Sequence, residues 1–333
     1  MIKDAFSCLQ AALSQIPEGS VCVKRHTEYG CTPFSDRLKV RTDGRGILSV
    51  YPVYEGIELS HLRFVSAQAA FHHAASPRVL EISHCQSGRA GWNLKDGMSV
   101  FLGAGDLALH STNCCSDSVM TFPLKYYEGI TLSVNLDLLE KNCPEILQTA
   151  GFDAGSLYES FCVPSKSEAL PSCPETERIF SPLYSLPESL RLAYFRLKVQ
   201  ELLLYLYRLT QLASPEKGIA RHSNSQTELI RAIHDRLIQN PGQRFTIEAL
   251  SREYLINTST LKSVFKAVYG QPIAAYMKEY RMRQAMELLR ESDAPISDIA
   301  AAVGYESAGK FTGAFQDIAH ILPSEYRRQH RGR

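Results

Sequence analysis

No cysteine occurs after Cys173 in this 333-residue chain, and the whole chain holds one tryptophan, Trp92. The nine cysteines, Cys8, Cys22, Cys31, Cys85, Cys114, Cys115, Cys143, Cys162 and Cys173, form no C-x₂-C pair. That removes the commonest spacing of a structural zinc site. No H-x-H occurs either, so no strand of period two sends two imidazoles to one face as a metal-holding β-domain would need. The longest purely apolar run is Leu202 to Tyr207, far short of the ~20 residues that span a bilayer. The opening MIKDAFSCLQAALSQIPEG has no apolar core or small-residue cleavage site of a signal peptide. The expectation is a cytoplasmic protein with reduced thiols and no membrane partner. Net charge is nearly absent as well: 36 Lys+Arg against 35 Asp+Glu leaves +1, which by itself nominates neither nucleic acid nor membrane.

What is present is a folding composition. Apolar residues at 44% and charged residues at 21% exclude a disordered, collagenous or coiled-coil chain, and the length favours two domains. From Val21 to about Val134, short β-prone runs such as ILSVYPVYEGIELSHLRFV and VLEISHCQSGRAGWNL are split by Gly, Asp and Asn, as in an antiparallel sandwich or barrel. Lys95-Asp96-Gly97 and Gly103-Ala104-Gly105-Asp106 read as tight turns. After Asn135 the period becomes helical. Leu192, Phe195, Val199, Leu202, Leu206 and Leu209 recur at spacings of three and four, a seam that either packs on its own β-domain or pairs with a second copy as a homodimer. ASPEKGIARHSNS then has the composition of a linker. The expected domains are 1–212, a linker over 213–225, and 226–333.

Helices fill the last part: Thr227–Asn240, Thr246–Tyr254, Thr258–Tyr269, Ile273–Arg290, Ser297–Val303, Ser307–Ile318 and a short one from Pro323. They contain a repeat. Ile247, Leu250, Ser251 and Tyr254 match Ile296, Ile299, Ala300 and Val303 at an offset of 49, and Leu261 and Phe265 match Phe311 and Phe315 at 50, so the second turn is one residue longer. Each copy is helix, tight turn, helix, with Gly304 supplying the left-handed residue in the second. Two such pairs on one connecting helix suit successive major grooves about 34 Å apart, which makes double-stranded DNA the expected ligand.

Over residues 226–330, and above all in Ile296-Ser297-Asp298-Ile299-Ala300, Val303-Gly304-Tyr305, Phe311 with Phe315, and Pro323-Ser324-Glu325-Tyr326-Arg327, the sequence resembles the AraC/XylS-type DNA-binding domain. The resemblance implies a transcription regulator that acts on promoter DNA and RNA polymerase. It also implies base contacts from early positions of each second helix: Ser259, Thr260, Lys262 and Ser263 in the first unit, and Ala308, Gly309, Lys310, Thr312 and Gly313 in the second. Ala308, Gly309 and Gly313 depart from the family's polar pattern. Without hydrogen-bonding side chains they offer only close backbone approach or thymine-methyl contact, so the first unit is expected to read more sequence. Lys262 and Lys266 are candidates for base or phosphate contact, and Lys310, Arg281, Arg283, Arg327 and Arg328 are phosphate candidates by charge alone. His320, Ala319 and Leu322 replace the residues usual before the terminal Pro-Ser-Glu-Tyr, so a less regular last turn is expected.

The β-rich part is then expected to be a cupin-like sensor for an unknown effector, giving an α+β chain. SHCQSGRAGWNL followed by FLGAGDLALHS is similar to the pyochelin-regulator branch, whose sensor answers a siderophore; the ligand itself does not transfer. His84, Arg89, Trp92 and His110 flank hairpins and are the candidate pocket residues. The rival is a metal-dependent or redox-active cupin-type enzyme or sensor carrying a DNA-binding tail. Adjacent His72 and His73 point to opposite faces of a strand, and Cys22-x₃-His26 and His110-x₃-Cys114-Cys115 are the nearest metal-like clusters. No catalytic residue, metal or cofactor is called for. Splitting the charge near the linker gives 20 Lys+Arg and 23 Asp+Glu over 1–220, against 16 and 12 over 221–333. The neutral total hides a basic C-terminal part.

Overall fold

The computed structural model describes residues 5–27, 39–72, 76–94, 97–114, 117–163, 168–212 and 218–330. They divide into two compact units, Met1–Ser223 and Asn224–Arg333.

Among the described residues, the first unit opens with helix α1 (Ala5–Ala12) and holds thirteen strands. These are β1 (Ser20–Arg25), β2 (Lys39–Thr42), β3 (Arg45–Tyr54), β4 (Ile57–Val65), β5 (Gln68–His72), β6 (Val79–Gly88), β7 (Ala90–Asn93), β8 (Met98–Leu102), β9 (Leu107–Ser111), β10 (Asp117–Thr121), β11 (Tyr127–Asn135), β12 (Glu168–Leu170) and β13 (His222–Ser223). A seven-stranded sheet runs in the order β1-β3-β4-β11-β6-β9-β12, and a six-stranded sheet in the order β13-β8-β7-β10-β5-β2. Pairing is antiparallel throughout except between β1 and β3. The turn glycines are used as expected where they are described: Gly97 and Gly105 lie at φ 80° and 82°, and the Gly105 N–H closes onto the Cys85 carbonyl. Lys95 and Asp96 lie outside the described residues.

Pleat alternation sends the seven-stranded sheet's two faces into different cores. Leu48 and Val50 of β3, Leu62 and Phe64 of β4, and Ala108 of β9 join Trp92, Val100, Leu102 and Met120 between the sheets. Ile57 and Leu59 of β4, Leu80 and Ile82 of β6, Leu107 and Leu109 of β9, and Ile130, Leu132 and Val134 of β11 face a helical layer. That layer consists of α2 (Leu136–Lys141), α3 (Glu145–Thr149), α4 (Ala154–Leu157), α5 (Pro174–Phe180) and α6 (Glu188–Thr210).

The apolar seam of α6 lies in this layer. Phe195, Val199, Leu202 and Leu206 are buried in the helix-side core, Leu209 packs against it, and Leu192 is half-buried. Of the two alternatives read from the sequence, packing on the chain's own β-domain is the one in which Phe195, Val199, Leu202 and Leu206 are found. Burying aliphatic side chains there removes the apolar surface a partner would need, at about 1.5–3 kcal/mol of transfer free energy each. The apolar side chains that α6 leaves exposed are others, Leu190, Tyr194 and Leu197.

The expected linker is also shorter than its composition suggests. Residues 213–217 lie outside the described residues, but the Ile219 N–H donates to the Ala169 carbonyl and β13 pairs with β8, so 218–223 belong to the first unit.

The second unit is all-helical: α7 (Asn224–Gln239), α8 (Ile247–Glu253), α9 (Thr258–Tyr269), α10 (Ile273–Glu291), α11 (Ile296–Ala302), α12 (Ala308–Ala319) and α13 (Pro323–His330). Their boundaries fall within a few residues of those read from the sequence. α7 is anchored by His234, which stacks on Tyr269 at 4.2 Å and bonds the Tyr276 hydroxyl through Nε2 at 2.8 Å. The core of the second pair gathers Ile299, Ala300, Val303, Phe311 and Phe315 against Met282, Ala285 and Leu289 of α10.

Candidate nucleic-acid interface and effector pocket

The two short–long helix pairs, α8–α9 and α11–α12, are capped in parallel ways. The Asn257 side chain accepts the Thr260 N–H at 2.7 Å to start α9, and the Ser307 hydroxyl accepts the Lys310 N–H at 3.3 Å to start α12. The turns differ. In the first, Leu255 takes the left-handed conformation at φ 51° and is 94% exposed. In the second, Gly304 takes it at φ 85°, and a Cβ there would stand 2.8 Å from the Pro241 carbonyl oxygen, so close packing as well as φ requires glycine.

On α9 the outward face carries Ser259, Lys262, Ser263 and Lys266, all exposed, with Thr260 half-buried beside them. The Ser259 hydroxyl donates to Asn257 Oδ1 at 2.8 Å and the Ser263 hydroxyl to the Thr260 carbonyl at 3.1 Å. Lys262 and Lys266 extend from the same face. On α12 the outward face is nearly bare: Ala308, Gly309 and Gly313 are exposed, Thr312 is half-buried, and a Cβ on either glycine would meet nothing within 4 Å. Lys310, 70% exposed, bonds Glu306 across one turn at 3.0 Å, and that bond holds the Glu306 carboxyl below its ordinary range.

Among the phosphate candidates, Arg283 and Arg328 are exposed. Arg281 and Arg327 are half-buried and occupied internally. Arg281 donates from Nε to the Pro241 carbonyl at 2.8 Å and from Nη2 to Gln243 at 3.0 Å, and Arg327 donates from Nη2 to the Ala294 carbonyl. These two guanidinium groups tie loops to α10 and α13. Charge alone did not reveal that.

The four residues expected to line an effector pocket separate into two places, because strand parity divides them. His84 faces the helical layer. It is fully buried, stacks on Phe180 at 4.3 Å, and bonds the Tyr184 hydroxyl through Nδ1 at 2.8 Å. Burial pushes its pKa down to about 4, so it is a neutral core group. Arg89 is packed beside Gly103, Asp106 and Cys85, where burial works against its charge and Asp106 supports it. Asp106 is fixed by the Gly103 N–H at 2.7 Å and the Ser172 N–H at 3.1 Å. His84 and Arg89 thus lie outside the pocket that Trp92 and His110 line.

Trp92 and His110 face the space between the sheets, with ring centroids 6.4 Å apart, and line a common pocket with Leu94, Val100, Glu168 and Arg221. His110 Nε2 lies 3.4 Å from Glu81 on the neighbouring strand. Sequence reading missed Glu168 and Arg221. Glu168 sits on a three-residue edge strand, and Arg221 falls in a stretch that reads as linker. Among the described residues no group of three His, Cys, Asp or Glu is placed to hold a metal ion, and no helix is long and apolar enough to cross a membrane. Burial pushes the Cys85 thiol up, away from reactivity. His73 and Cys115 lie outside the described residues.

Residues 250–329 match the family described as Helix-turn-helix domain. Over 92 residues the chain is 33% identical to a putative AraC-like transcription regulator of Streptomyces antibioticus, covering 28% of this chain and 30% of that protein. Over 114 residues it is 30% identical to the transcriptional activator RhaR of Pectobacterium atrosepticum, covering 33% and 40%. It is also similar to the solved C-terminal domain of AraT, a response regulator from Geobacillus stearothermophilus, at 26% identity over 31% of this chain and 86% of that one, with a TM-score of 0.30. The chain spans less than half the length of these two curated relatives. The C-terminal unit is a helix-turn-helix domain. Over this part the chain is similar to the AraC-like regulators.

Proposed function

We propose that the chain is a one-component transcription regulator that binds promoter DNA through α9 and α12 in successive major grooves and adjusts that binding to a small effector held by its β-rich unit. The observation that carries the reading is the helix-turn-helix match over residues 250–329, supported by exposed residues on one face of α9 and of α12, on either side of α10. Two reading helices in one chain cover two grooves without a second copy. α9, with Ser259, Lys262, Ser263 and Lys266 on one exposed face, reads base edges and phosphates; α12 contributes close backbone approach and Lys310. Arg283 and Arg328 neutralise phosphates. RNA polymerase is the partner that converts promoter occupancy into regulation, and the cytoplasm is where the three meet.

The excess of four positive charges over 221–333 gives moderate non-specific affinity. Specificity therefore rests on α9. The test is binding of the full chain to a duplex from the gene's own upstream region and to a scrambled duplex, across a salt series. Tighter binding to the native sequence at every salt concentration supports the reading. Equal binding to both overturns it.

A further inference from the structure

Helix α10 runs from one helix pair to the other, but a shared helix does not by itself fix how two reading helices are turned about its axis. A second connection runs beside it. The segment between α7 and α8 is stitched to the middle of α10 by three hydrogen bonds. The Tyr280 hydroxyl donates to the Ile238 carbonyl at 3.3 Å, and Arg281 donates from Nε to the Pro241 carbonyl at 2.8 Å and from Nη2 to the Gln243 carbonyl at 3.0 Å. This segment is the entry to the first pair, since Thr246 caps α8 by accepting the Ala249 N–H.

The same segment meets the second pair. A Cβ on Gly304, in the turn between α11 and α12, would stand 2.8 Å from the Pro241 carbonyl oxygen and 2.9 Å from the Gly242 Cα, and one on Gly242 would stand 3.6 Å from the Ala302 carbonyl oxygen. No side chain fits between the two backbones there, so a shift of one is felt by the other. One turn before Arg281 on α10, Lys278 bonds Asp317 of α12 at 2.9 Å. Tyr305, the residue after Gly304, packs edge-on against Phe311 of α12 at 5.7 Å, and burial raises its phenol against the nearby charges of Arg281 and Lys278. Arg281 thus sits where the entry to α8, the middle of α10 and the turn into α12 converge. Its planar fork satisfies two carbonyls at once, which the single ammonium of a lysine does not reproduce.

We propose that Arg281 is a positioning residue: it holds the 238–243 segment against the Gly304 turn and so locks the two reading helices at one separation and one angle, which makes the protein select the spacing between its half-sites as well as their bases. This inference rests on the DNA-binding reading above. Each base pair added between half-sites moves one of them by about 3.4 Å along the duplex and about 34° around it. A braced pair of helices does not follow that movement, and a loosened pair does.

The test uses the full chain and the upstream duplex, its half-sites mapped by footprinting, with two further duplexes in which one base pair is inserted or removed between them. The wild type is expected to bind either altered duplex about ten-fold or more weakly, because a misplaced half-site forfeits at least one base-pair match. Arg281→Ala and Arg281→Lys are both expected to narrow that gap to about three-fold or less, while binding the native duplex less tightly than the wild type. A phosphate contact predicts otherwise: Arg281→Lys behaves as the wild type, and Arg281→Ala weakens on all three duplexes alike with a salt slope lower by about one. That pattern overturns the positioning role. A single protected patch, or wild-type affinity indifferent to the spacing, overturns the brace without any variant having to fold. A wild type that does not prefer the native duplex to a scrambled one defeats the DNA-binding reading itself, and the brace falls with it.

Discussion

Gly270 and His320 hold the same place in the two helix pairs: each ends the second helix in the left-handed conformation, at φ 86° and 59°, and each donates its N–H to the carbonyl four residues back, Lys266 and Gln316. The repeat is kept in backbone geometry where the side chain is not. The last turn is regular despite its unusual residues. A non-glycine residue there carries a penalty of about 1 kcal/mol. His320→Gly is accordingly expected to raise the stability of the C-terminal unit by about 0.5–1 kcal/mol after the looser unfolded chain is counted. Urea unfolding measures it, and a lower midpoint for the variant contradicts the equivalence.

Gly309 and Gly313 sit inside α12 with open space where a Cβ would go. Nothing within the protein requires them, yet each costs about 1 kcal/mol relative to alanine in a helix interior. Gly309→Ala and Gly313→Ala are each expected to stabilise the protein by about 0.5–1 kcal/mol and to weaken duplex binding, because the methyl groups hold the helix away from the groove. Stabilisation with unchanged affinity would remove close approach as the reason for these glycines.

His84 has an ordinary value of 6.5 and is held at about 4 by burial, and its Nε2 finds no partner among the described residues. Between those values the unfolded chain binds the proton that the folded one refuses. Stability is therefore complete above pH 6.5 and falls as the pH drops toward 4, by up to about 3 kcal/mol. His84→Phe keeps the stacking on Phe180, and the Tyr184 hydroxyl still reaches the residue 84 carbonyl, 3.4 Å away. The variant is expected to lose that acid slope, read as the chemical-denaturation midpoint from pH 7 to 4. Parallel curves for both proteins would place the slope elsewhere.

Leu206 lies at the centre of the α6 seam and is fully buried against the sheet. Leu206→Ala is expected to cost about 2–5 kcal/mol in the first unit, with a midpoint independent of protein concentration. A midpoint that rises with concentration in the wild type and not in the variant would return this seam to a dimer interface.

Much of the second unit was legible because local signals agreed there. Asn257, Ser307 and Gly270 cap helices, Pro272 and Pro323 precede or open them, and the apolar positions repeat at offsets of 49 and 50. The first unit was legible in kind but not in pairing. Strand parity put His84 on one face of the large sheet and His110 on the other, which no local pattern distinguishes without the register. Arg221 was hidden by composition: the stretch around it reads as linker, and only the pairing of His222 with Ser99 makes it a wall. Arg281 and Arg327 carry the charge of phosphate contacts and the hydrogen bonds of loop clamps. Charge counts alone cannot separate those roles.

The most direct test is a footprint of the full chain on its gene's upstream DNA, repeated with Lys262→Ala and Ser263→Ala. Two protected patches about one helical turn apart are expected, with the half-site under α9 relaxing its base preference in both variants and the half-site under α12 unchanged. Protection no better than on scrambled DNA, or equal losses in both half-sites, would contradict it.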